Sequence, residues 1–152
     1  VGPFSPLLNY KWARTEEALR RLGTVGASPH DDVAMEYINP HTGGPIMPTL
    51  ACWIQLLRPG VRPQAHRPTG SAVYLAFEGQ GYSVIEGQRF DWKKGDVFVV
   101  PTWAWHEHAS VDGEAFLFSV QDTPIMQALG LYREQAYPDQ GGHQAITRCF
   151  EG

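Results

Sequence analysis

The chain has 152 residues, 43% of them apolar, and a net charge of -4. That is enough for one domain with a real core; it excludes a basic nucleic-acid surface, and no stretch approaches the ~20 apolar residues that a membrane span needs. The 16 Gly and 12 Pro imply frequent turns and an all-β fold, while Cys52 and Cys149 are too few for a disulfide framework and fit a reduced, cytoplasmic setting.

Residues 1–10 carry two prolines and read as an extended arm. Residues 11–22 read as a short helix, with Trp12, Leu19 and Leu22 at helical spacing and Thr15 as its cap. Glu16 with Arg20 and Glu17 with Arg21 stand at i, i+4 and support its surface. A helix this short needs something to pack on, so it is expected to dock rather than to form the core. Residues 23–48 are irregular, with one short strand at 33–38, and are long enough to cover a surface or a partner.

From Thr49 the texture changes. Short apolar, β-branched runs at 50–57, 72–77, 81–86, 96–100 and 115–121 alternate with Gly, Pro and Asp, as in a sandwich or barrel. Glu86-Gly87-Gln88 marks a tight hairpin and Lys94-Gly95-Asp96 another turn. Residues 124–135 read as a short amphipathic helix, and the polar tail from Ala136 as mobile. The expected organisation is an arm, helix and covering segment over 1–48, a barrel over 49–122, and a C-terminal helix and tail over 123–152.

Two segments then carry the chemistry. In the first, Gly60 is followed by His66, Pro68, Ala72 and Gly79; in the second, Gly95 is followed by Pro101, Trp103, His106 and Ser110. Their spacing is similar to the paired motifs of the cupin superfamily, which implies a double-stranded β-helix, or jelly-roll barrel, with short flanking helices. In that family a His-any-His pair, a carboxylate and a third His hold a metal, because residues i and i+2 of a strand face the same side. Here His66 and His106 stand at ligand positions, but Pro68 and Ala72, which offer no donor, replace the second His and the carboxylate. His108, two residues beyond His106, leaves two readings open: His66, His106 and His108 form a substitute site, or they are residual histidines of a barrel interior.

Five further stretches, at 39–45, 47–57, 90–96, 99–108 and 129–134, resemble gentisate 1,2-dioxygenases and the related salicylate and 1-hydroxy-2-naphthoate dioxygenases. The resemblance runs to about Gln135 and implies an oxidoreductase of aromatic catabolism. Such proteins are oligomeric bicupins that use Fe(II) to add both atoms of O2 to a small aromatic hydroxy acid. The ring opens between its carboxyl-bearing and hydroxyl-bearing carbons. The iron resides in the N-terminal half, and this chain resembles the C-terminal one. The lost ligands and the start at Val1 agree with that: a metal-free, structural half whose N-terminal partner lies outside the sequence. The alternative is a standalone, non-catalytic cupin that binds a small aromatic acid. Catalytic residues are not assigned. For substrate contact the candidates are Trp103 and Trp105, as aromatic walls or as packing, and Arg62, as a carboxylate clamp or as a solvated rim residue. Arg67, next to His66, is expected to point away from it.

Overall fold

A computed structural model describes residues 8–152; the expected arm therefore lies largely outside the described residues. Helix α1, Trp12–Val25, precedes strand β1, Val33–Tyr37, and the barrel strands β2, Ala51–Leu57, β3, His66–Pro68, and β4, Ala72–Glu78. The hairpin β5, Gln80–Ile85, and β6, Gln88–Lys93, is followed by β7, Val97–Val100, β8, His106–Ser110, and β9, Ala115–Gln121. Helix α2, Thr123–Ala128, then leads to β10, Glu134–Ala136, and β11, Arg148–Cys149.

The strands form two sheets, β1-β2-β9-β4-β7 and β10-β3-β8-β5-β6-β11. Between them lies a core that includes Leu57, Tyr74, Trp92, Val100 and Leu117. The β2 sequence ACWIQLL is buried almost throughout instead of alternating. Both of its faces are covered: Ala51, Gln55 and Leu57 look inward, while Ile54 and Leu56 pack under α1 together with Leu19, Val33 and Phe116. Leu19 is fully buried there, which stabilises the docked helix by roughly 2 kcal/mol. The Glu16–Arg20 and Glu17–Arg21 pairs form at 2.8 and 2.6 Å, and Arg20 also reaches Glu114 at 2.7 Å. Thr15 does not cap the helix; Lys11 occupies the N-cap, and Thr15 lies buried one turn in.

The hairpin at Glu86-Gly87 has positive φ at both residues, 50° and 75°, which is the turn whose twist matches the flanking strands. Gly81 is required for a different reason. A methyl group there would meet the Trp92 ring at 2.7 Å and run into the Ala109 carbonyl.

Both sheets extend past the 49–122 span. β1 pairs with β2 as an edge strand, and β10 and β11 close the edges of the second sheet. The helix expected over 124–135 stops at Ala128, because Gly130 takes a φ of 67° and ends it. The tail is anchored rather than free. The buried carboxylate of Glu107 accepts hydrogen bonds from His143 Nδ1 at 2.8 Å and from the Gln144 backbone at 2.7 Å. Glu107 is 1% exposed, so these partners offset the desolvation of its charge. Among the described residues no helix is long and apolar enough to cross a membrane.

Candidate functional site

A cavity of about 420 Å³ opens between the sheets at the end where β3, β8 and β10 meet the covering segment. Its first wall is the inner face of the five-stranded sheet. In register across that sheet run Glu36, Trp53, Ser119 and Tyr74. The opposite wall carries His66 and His106, which are direct cross-strand partners on β3 and β8 with ring centroids 4.6 Å apart. Glu134, on β10, and Asp31, in the turn before β1, complete it.

The hydrogen bonds fix the histidine tautomers. His66 Nδ1 lies 2.7 Å from Glu134 Oε1, and a carboxylate only accepts, so this nitrogen donates. His106 Nδ1 donates to the Ala104 carbonyl at 3.1 Å, and His30 Nδ1 to the Gln64 carbonyl at 3.1 Å. Burial, followed by the neighbouring His66, pushes His106 down to about 3, so it is neutral in ordinary buffers. The His66 bond pulls Glu134 down to about 2, and burial pushes Tyr132, which donates to Glu134 at 3.0 Å, up to about 12. Burial raises Asp31, whose carboxylate lies 3.9 Å from His66 Nε2, and it raises Glu36 as well.

His108 sits apart from this cavity lining. Its ring is 5.4 Å from His106, its Nδ1 is 2.7 Å from Ser83 Oγ, and the Tyr74 and Phe98 rings pack against it. Its Nε2 is buried without a partner, and burial holds the ring well below the usual histidine range. Trp103 and Trp105 lie outside the lining too. They hold the Arg67 guanidinium between them, at 4.4 and 4.3 Å from the two rings, while Arg67 itself bonds Gln135. Trp103 occupies the motif position where cupins keep glycine, and its φ of 60° shows why glycine suits it. Arg62 reaches Glu107 at 3.6 Å on the far side of β8 and is not in the lining.

A divalent ion needs several donor atoms converging on one point. Pro68 and Ala72 line the cavity at two of the four family ligand positions and bring no donor. Among the described residues one trio, His30, His66 and Glu134, places its ligand atoms within 4.8 Å of one another. Two of these already bond each other, and the His30 and His66 rings are stacked 3° from parallel at 4.6 Å. Lone pairs lie in the ring planes, so two parallel rings do not aim at one point. His66, His106 and His108 form no such trio. Two of the four family ligand positions therefore bring no donor, and the family's own ligand set is incomplete here. Glu134, Asp31, Glu36 and His30 were not singled out from sequence. The one signal for Glu134 was its place in the 129–134 stretch.

The cupin domain family matches residues 53–120. The chain is 49% identical over 148 residues to a 5-aminosalicylate 1,2-dioxygenase of Comamonas sp., covering 96% of this chain and 40% of that protein. It is 40% identical over 134 residues to gentisate 1,2 dioxygenase 1 of Aquipseudomonas alcaligenes, covering 88% and 38%. Among solved structures, salicylate 1,2-dioxygenase of Pseudaminobacter salicylatoxidans superposes with a TM-score of 0.76 at 34% identity, over 89% of this chain and 43% of that one. The chain thus spans about two fifths of the length of the curated relatives it matches. The chain carries a cupin domain, and along most of its length it is similar to the 5-aminosalicylate, gentisate and 1-hydroxy-2-naphthoate 1,2-dioxygenases.

Proposed function

We propose that this chain is the C-terminal cupin of an Fe(II)-dependent ring-cleaving dioxygenase, and that this half is metal-free and structural. The observation that carries the reading is the pair Pro68 and Ala72, which line the cavity where a second His and a carboxylate would have to stand. Of the motif histidines, His66 and His106 line the cavity and His108 does not, so two imidazoles stand where the family motif brings three. The coverage of relatives, 40% of the Comamonas protein, leaves room for an iron-bearing half.

In this reading the whole protein, a cytoplasmic homo-oligomer, joins both atoms of O2 to an aromatic hydroxy acid. This half supports the fold and the interfaces around the active half. The rival, a standalone cupin that binds an aromatic acid, fits the cavity less well. A bound carboxylate calls for a basic partner, and no described residue lining the cavity is Lys or Arg.

The test is oxygen uptake with gentisate and with salicylate after Fe(II) loading. The chain by itself should give no turnover, and the same chain joined to an iron-bearing cupin half should. Robust turnover by the chain alone overturns the reading.

A further inference from the structure

The charge of the cavity points to a ligand of the opposite kind from an organic acid. Three carboxylates, Asp31, Glu36 and Glu134, face it, and its only basic side chains among the described residues are imidazoles. His106 is held neutral by burial. Even with His66 and the stacked His30 both protonated, the carboxylates outnumber them.

The three acids are not equally satisfied. Glu134 has His66 and Tyr132. Asp31 has the Ser28 hydroxyl at 3.5 Å and His66 at 3.9 Å, the second too long for a hydrogen bond. Glu36 has no side-chain hydrogen bond or ion pair among the described residues, although it is half-buried and burial raises its carboxyl. A desolvated carboxylate without a cation is destabilised, and a positive ligand would relieve it.

The apolar part of the wall fits the same ligand. Trp53 stands directly opposite Glu36 in the β1–β2 register, with Ser119 and then Tyr74 next in the row. A carboxylate beside an indole face is the pairing that recognises an ammonium group. The volume, about 420 Å³, lies in the range of small-molecule sites.

We propose that this cavity binds a small organic cation, an amine or ammonium on a body of about one aromatic ring, with Glu36 as its counter-charge and Trp53, directly opposite Glu36, as the face on which it lies. The site repels the carboxylates that a ring-cleaving dioxygenase consumes, so its ligand is not the substrate. The proposal does not depend on the dioxygenase reading, and amine binding and iron content can fail independently.

Calorimetric titration of the intact protein near neutral pH tests it with three probes of one shape: benzylamine, benzyl alcohol and benzoate. Benzylamine should bind more tightly than benzyl alcohol. Glu36→Gln should weaken benzylamine by at least about tenfold, the size of one charge-assisted contact, and leave benzyl alcohol unchanged. Trp53→Leu should weaken both. If Glu36→Gln fails to fold by circular dichroism, Glu36→Ala serves in its place with the same expected loss. Three results overturn the proposal: no benzylamine binding, benzylamine binding indifferent to the carboxylate variants, or benzoate binding that depends on Trp53.

Discussion

The buried imidazole of His106 makes the stability of this domain sensitive to acid over a defined window. The unfolded chain protonates this ring near pH 6.5, and the folded chain does not until about pH 3. Between those values the unfolded state binds more protons, so stability rises with pH and falls on acidification. From pH 8 to pH 5 the loss for one such histidine is about 2 kcal/mol. His108, also lowered by burial, adds in the same direction, while Asp31 and Glu36, raised by burial, oppose it. Glu134 stays out of this window, since its depressed value, about 2, makes its contribution fall away below the ordinary carboxylate range. The variant His106→Asn isolates the effect, because its amide can still donate to the Ala104 carbonyl but does not titrate. Urea unfolding at several pH values should show the wild type losing about 2 kcal/mol more than His106→Asn between pH 8 and 5. Equal pH dependence in the two proteins would refute the claim that this ring is buried and neutral.

Three structural predictions accompany it. Arg58→Ala leaves the Asp32 carboxylate, 0% exposed and held at 2.6 Å, without its partner; urea unfolding should show a loss of about 3 kcal/mol, the low end for a broken buried pair because the guanidinium is partly solvated. Glu107→Gln weakens the bonds to His143 and Gln144, and amide exchange should accelerate over 140–150 while the β5–β6 hairpin stays protected. Gly81→Ala drives a methyl into Trp92 and the Ala109 carbonyl, so it should cost more than about 2 kcal/mol by the same unfolding assay, whereas Gly26→Ala, with open space around it, should cost little.

The fold was legible because turn residues punctuate the strands so regularly: 115–121 is a strand with the expected ends, and β2 begins one residue inside the expected 50–57. Motif spacing located His66 and His106, whose strands, three and five residues long, are too short for periodicity to reveal. The C-terminal strands escaped because they are polar and exposed, and they become strands by pairing with sheet edges made elsewhere in the chain. For the site, alternation along one strand predicted that His108 shares a side with His106, which it does; it did not say that Tyr74 and Ser83 claim that ring. Trp103 and Trp105 enclose Arg67, a use of aromatic rings that sequence does not distinguish from walls around a substrate. Glu134 and Asp31 lie 68 and 35 positions from His66, and only the closure of β10 and of the turn before β1 brings them to it.

Iron content after anaerobic Fe(II) loading, in protein without a histidine tag, tests the central claim most directly when wild type is compared with His66→Ala and His106→Ala. The same iron content is expected in all three, and none when this chain is loaded by itself. Loss of an equivalent of iron in either variant would contradict it and place a working metal centre in this half.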